Sequence, residues 1–131
     1  MSPMNPKRLV IDLDETVCFT TDGDYHNSRP NLPVISKLRW YKAQGFDVVF
    51  HSARNMRTHE GNLGKIAALT LPIVIDWLKR HDIPFDEIVM GKPWCGTNGF
   101  YVDDKAIRPD EFASLTYTEI MALVSGPEPT K

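Results

Sequence analysis

Three short runs, Leu9-Val10-Ile11, Phe46 to Phe50 and Ile88-Val89-Met90, are apolar at nearly every position, and this limits the possible folds more than any other feature of the chain. A strand with one wet face alternates apolar and polar residues. A continuous apolar run of β-branched character suits a strand buried on both faces, as in parallel sheets. A fourth run, Phe100-Tyr101-Val102, reads the same way. Between the first two, Leu32, Ile35, Leu38 and Tyr41 recur at helical spacing and stop at Gly45, a residue suited to a helix C-terminus. Pro72 fits a first helical position, so a second helix is expected after Thr70, through Trp77 and Leu78 to His81. Pro109 opens a short helical turn, and a last helix is expected over Tyr117 to Val124, with Thr116 and Glu119 as its capping box. The order of elements predicts an α/β fold: a three-layer α/β/α sandwich with a mainly parallel, Rossmann-like sheet covered by helices on both faces.

At 131 residues, 42% of them hydrophobic, the chain suffices for one core, and a single domain over residues 1–124 is expected. The remainder, 125–131, carries Gly126, Pro127 and Pro129 and reads as a disordered tail. With 17 acidic against 15 basic residues, the charge balance argues against a nucleic-acid scaffold or a membrane-surface binder. Neither the opening residues nor any later stretch has an apolar run of leader or membrane-spanning length. Together with only two cysteines, Cys18 and Cys95, this points to the cytoplasm. Residues 54–65 are polar, basic and glycine-containing, and read as a surface loop that binds something.

Parallel α/β sheets bind ligands beyond the carboxyl ends of their strands. Here the first strand ends in Asp12 and Asp14, the second in Ser52, the third in Lys92 and the fourth in Asp103 and Asp104. Four carboxylates brought together would repel one another without a cation, and their hard oxygens suit Mg²⁺. A lysine adds a point charge for phosphate oxygens, and a serine hydroxyl can donate to them. The set suits phosphoryl transfer to an aspartate: Asp12 as nucleophile, with Asp14, two residues on, protonating the leaving group and then activating water.

Asp12-Leu13-Asp14-Glu15-Thr16 resembles the first motif of the haloacid dehalogenase superfamily, and Ser52, Lys92 and the Asp103-Asp104 pair follow in the order of its second, third and fourth. The likeness covers roughly residues 8 to 110. It implies a Mg²⁺-dependent phosphatase in which Asp12 is nucleophile and metal ligand, and Asp14 is acid/base and a metal ligand through its backbone carbonyl. By the same likeness Ser52 and Lys92 hold the phosphoryl group and the acidic pair completes the metal site, Asp104 being favoured as the closer ligand. Glu15 departs from the glycine common there. The chain is too short for an inserted cap domain, and the resemblance then implies a homo-oligomer, with a tetramer as one form, whose neighbouring subunits close the site. The strings His51 to Thr58, Gly91 to Gly96 and Tyr101 to Pro109 resemble small stand-alone phosphatases of capsule and polysaccharide biosynthesis, implying a small phosphorylated sugar, polyol or related precursor as substrate.

Other residues also admit plainer roles. Arginine forks suit phosphate, so Arg54 and Arg57, with Ala53 between Ser52 and Arg54 and with Trp94 after Lys92, are the expected substrate contacts, although both arginines also read as solvated charges. His51 and His59 show no zinc-ligand spacing, and Cys95 has no base placed for it. Two rivals stand beside the main reading. A nucleotide or polynucleotide-end phosphatase needs a basic track and stacking aromatics, for which Arg54, Arg57 and Trp94 are the available residues. A phosphoacceptor signalling domain of the receiver type carries its adjacent acidic pair on the first strand, whereas here that pair comes last.

Overall fold

The computed structural model describes residues 7–125, which fall into two compact units dividing between Trp94 and Cys95. In the first unit, β1 (Arg8–Asp12), β4 (Asp47–Ser52) and β5 (Glu87–Met90) form a parallel sheet in the order β1-β4-β5. The register sets Val10 against Val49 and Asp12 against His51, then Phe50 against Ile88 and Ser52 against Met90. The three apolar runs are therefore the strands expected of them, and all end on the same side of the sheet.

Helix α1 (Leu32–Ala43) begins with Pro33 in its first turn and buries Val34, Ile35, Leu38 and Tyr41. That stripe is the 3–4 spacing read from the sequence, and each such side chain contributes roughly 1.5–3 kcal/mol on burial. Gly45, at φ 94°, ends the helix in a conformation that glycine adopts without strain. The loop after β1 holds a small antiparallel pair, β2 (Cys18–Phe19) with β3 (Arg29–Pro30), and a 3₁₀ turn at Tyr25–Asn27. Neither was expected, because two-residue strands carry no readable period.

The polar segment after Ser52 runs in turns only as far as Asn62, whose side chain accepts from the Lys65 N–H. From there α2 (Leu63–Lys65) passes through a π-helical turn, Ile66–Thr70, into α3 (Leu71–Arg80). Pro72 has no N–H to give, and the widened turn just before it accommodates the missing bond, so the helix starts earlier than a proline suggests. Val74, Trp77 and Leu78 of α3 are buried, and the Trp77 indole N–H donates to the Ser28 carbonyl at 2.9 Å.

The covered sheet face carries Ile11, Val48, Phe50 and Ser52, all buried. On the other face Val10 is 55% and Val89 49% exposed. Val49, on that same face in the central strand, is buried. The arrangement is a mixed α/β fold with a three-stranded parallel sheet.

The second unit contains α4 (Pro109–Ser114) and α5 (Tyr117–Ser125). The expected capping box is present: the Thr116 N–H donates to Glu119 and the Glu119 N–H to the Thr116 hydroxyl. Ser125 closes α5, while the rest of the tail lies outside the described residues. The expected fourth strand is corrected here. Phe100-Tyr101-Val102 forms no strand, and these residues are 80%, 50% and 88% exposed. Strand preference depends on context as much as on residue type, and the run belongs to neither sheet among the described residues.

Candidate active site

Asp12 is the last residue of β1, Ser52 the last of β4, and Lys92 follows β5 by two residues. The Lys92 N–H donates to the Ser52 carbonyl at 3.0 Å, so the β4–β5 ladder continues one step and delivers the lysine to the strand ends. Gly91 makes the turn possible at φ 92°. The Lys92 ammonium then stands 3.6 Å from Asp12 Oδ1. On the other oxygen, the Thr16 hydroxyl donates to Asp12 Oδ2 at 3.3 Å. Burial raises the Asp12 carboxyl above its ordinary value, against the lowering pull of Lys92. Burial and the same ammonium lower the neighbouring His51.

Asp14 sits just past the strand, in a turn closed by the Glu15 N–H on the Cys18 carbonyl. Glu15 itself is exposed and has φ 60°, a left-handed backbone that glycine takes at no cost, which explains why a glycine fits there. Asp14 is gripped by Arg54: Nη2 donates to Oδ1 at 2.7 Å and Nε to Oδ2 at 3.2 Å. The Arg54 side chain is only 2% exposed, against 30% for Asp14. Tyr25 lies under the guanidinium, 4.1 Å from ring centre to Cζ, and Nη1 is buried without a hydrogen-bond partner. The Arg54 N–H also donates to Ser52 Oγ at 2.9 Å. A hydroxyl that accepts this bond keeps its own O–H to donate. Cys18 is wholly buried beside Asp14, and burial with that carboxylate pushes its thiol up to about 12.

The first unit thus brings together Asp12, Asp14, Ser52, Arg54 and Lys92. Arg54, expected from the sequence as a substrate contact, is buried and holds Asp14 through two hydrogen bonds. Ala53 is half-buried between Ser52 and Arg54, and exposed Arg57 stands 5.8 Å from the ring of Trp94. Thr16 and Tyr25 were missed as site residues. Thr16 had a signal, lying four residues after Asp12, but Tyr25 arrives through a loop with no period. Asp103 and Asp104 belong to the second unit, in a turn where Asp103 accepts the Lys105 N–H at 2.9 Å, a bond that lowers its carboxyl. Among the described residues no three His, Cys, Asp or Glu side chains converge as a metal-holding group. No helix among them is long and apolar enough to cross a membrane.

A solved structure from Vibrio cholerae, a structural-genomics target, is 53% identical to this chain, covering 91% of it and 97% of that chain with a TM-score of 0.89. The chain belongs to that protein's family. Chains of two Pnkp1/Rnl/Hen1 structures, one titled an RNA repair complex, are 23% and 22% identical, with TM-scores of 0.54 and 0.51. They share the fold over 86% and 79% of this chain, which spans 36% and 30% of theirs. No family model and no curated protein matches the chain.

Proposed function

We infer that the chain is a phosphomonoester hydrolase of the haloacid dehalogenase type that works through an aspartyl phosphate on Asp12. The observation that carries the reading is Lys92 Nζ 3.6 Å from Asp12 Oδ1, one just past the end of β5 and the other at the end of β1, with Ser52 at the end of β4 between them. A nucleophilic carboxylate and a phosphate repel each other, and an ammonium poised between them lowers that cost. Asp12 attacks phosphorus as the ester P–O bond breaks, and Asp14 gives its proton to the leaving oxygen. Asp14 then takes a proton from the water that hydrolyses the aspartyl phosphate, releasing inorganic phosphate and restoring both residues. Arg54 fixes the orientation of Asp14, whose oxygens each keep a second lone-pair site for that proton. Ser52 and Lys92 hold the transferring group, and Arg57 with Trp94 borders the substrate.

The hard oxygens of Asp12 and Asp14 would suit Mg²⁺, and the family resemblance supplies Asp103 and Asp104 as the further ligands. When bound, the cation supplies charge neutralisation between nucleophile and phosphate. The substrate class that best suits the quoted strings is a small phosphorylated sugar, polyol or polysaccharide precursor.

The test is phosphate release from a generic aryl phosphate, followed by a panel of sugar, polyol and nucleotide phosphates. Repeated turnover that is lost on chelation and in Asp12→Asn supports the reading. Preference for nucleotides or polynucleotide ends would replace the substrate class, and stoichiometric labelling without release would point to a phosphoacceptor domain. Full activity of Asp12→Asn in a clean preparation would refute the mechanism.

A further inference from the structure

Tyr25 belongs to the 3₁₀ turn between β2 and β3, a segment that supplies no group to the proposed chemistry. Its ring centre nevertheless lies 4.1 Å from Arg54 Cζ, and Arg54 grips Asp14 through Nη2 at 2.7 Å and Nε at 3.2 Å. Arg54 Nη1 is buried without a hydrogen-bond partner and adds no further hold, and the 3.7 Å contact of Nη2 with Cys18 Sγ is a weak one. The two bonds to Asp14 leave the guanidinium able to tilt about the carboxylate, and the face of Tyr25 is what opposes that tilt. A surface loop of this kind is ordinarily mobile, and Thr21 to Asp24 are exposed. Tyr25 is tied down. The Ser28 hydroxyl donates to the Tyr25 carbonyl at 3.1 Å and lies 2.6 Å from the Thr20 hydroxyl. From α3, the Trp77 indole N–H donates to the carbonyl of Ser28, and the Arg80 guanidinium donates to the carbonyl of His26. Ser28 and Trp77 are both buried, so water does not compete for the bond that joins them.

We propose that Tyr25 is a positioning residue for the reaction: by holding the plane of Arg54, it fixes the direction in which Asp14 offers its proton. The assignment rests on the phosphatase reading. Its effect passes through Arg54 and needs no contact with substrate. In the first step the ester P–O bond breaks and the leaving oxygen takes the proton of Asp14. An alkoxide needs that proton, whereas a nitrophenolate is stable enough to leave without it. A misdirected Asp14 therefore slows the cleavage of alkyl esters and spares aryl esters. General acid catalysis contributes about 10²–10⁴-fold, and a misplacement of about 1 Å can cost about 100-fold, so the difference between the two esters is large enough to read. A tyrosine that only packs the loop would instead lower both activities together, in proportion to the folded fraction.

The test compares kcat and kcat/KM on nitrophenyl phosphate and on the alkyl ester, among the sugar and polyol phosphates, that the wild type hydrolyses best. Tyr25→Leu should lower kcat/KM on the alkyl ester about tenfold more than on the aryl ester, with the loss in kcat. Tyr25→Phe keeps the ring and should keep the parent's ratio of the two activities. In an Arg54→Met background, Tyr25→Leu should change that ratio by less than about twofold, because the residue it acts through is gone. Tyr25→Met is carried alongside, so that if one variant fails to fold in urea unfolding the other decides. Equal losses on both esters, a loss confined to KM, or the same change of ratio with and without Arg54 would each overturn the assignment. So would a wild type active on aryl esters alone, since it makes no use of a leaving-group proton. A wild type that hydrolyses neither ester refutes the phosphatase reading itself, and this assignment with it.

Discussion

The pair Arg54–Asp14 should be worth more to stability than most ion pairs, and its two halves should not be equivalent. Arg54 is 2% exposed and Asp14 30%, joined by two hydrogen bonds of 2.7 and 3.2 Å. Asp14→Ala strands a guanidinium that cannot give up its proton in a place water does not reach. Breaking a buried pair in this way costs about 3–5 kcal/mol. The Tyr25 ring at 4.1 Å returns about 1 kcal/mol of that, leaving a loss of roughly 2–4 kcal/mol. Arg54→Met removes the cation while filling much of its volume, and the carboxylate it leaves is exposed enough to recover water. We expect a loss of about 1–2 kcal/mol there. The double variant removes both charges, so its loss should fall short of the sum by about 1–3 kcal/mol. Urea unfolding at neutral pH, followed by tryptophan fluorescence with unchanged slopes, gives all four free energies. If Arg54→Met proves as costly as Asp14→Ala, or the coupling falls below about 0.5 kcal/mol, the account of this pair is wrong.

Other expectations follow from single contacts. Ser52→Ala leaves the buried Arg54 N–H without its acceptor and should cost about 1–3 kcal/mol in the same unfolding assay, beyond any effect on turnover. Gly91→Ala forces a β-carbon into φ 92° and against the Leu63 side chain; it should cost about 1 kcal/mol and lower activity by displacing Lys92. Glu15→Gly relieves a left-handed residue and should stabilise by up to about 1 kcal/mol in thermal unfolding. Asp86 accepts from the Lys42 ammonium and the Val48 N–H, which hold its carboxyl below the ordinary value of 3.8. A depressed carboxyl stabilises the fold above that value and loses its contribution as pH falls through the lowered one. Asp86→Asn should therefore reduce stability by about 1 kcal/mol at neutral pH and converge with the parent in acid, as unfolding curves at several pH values would show.

Much of this protein was legible in its sequence, for identifiable reasons. Continuous apolar runs marked β1, β4 and β5, and in the central strand β4 neighbouring residues of both parities, Val48, Val49 and Phe50, are buried. Helical spacing marked α1, and the Thr116–Glu119 pair marked the start of α5, because these signals act between near neighbours in the chain. The position of Asp12, Asp14, Ser52 and Lys92 at or just past strand ends was likewise legible, since the apolar runs stop there.

Tertiary structure decided what depends on distant partners. It set the buried Arg54 against Asp14, with Tyr25 beneath it, a relation between three segments that no local pattern encodes. It absorbed Pro72 with a π turn, so that a helix begins at Leu63. It also left Phe100-Tyr101-Val102 outside any strand, because strand preference by itself does not make a strand. Local pattern therefore determined which segments want to be strands and helices and which residues stand at their ends, whereas the pairing of those segments depended on which surfaces met.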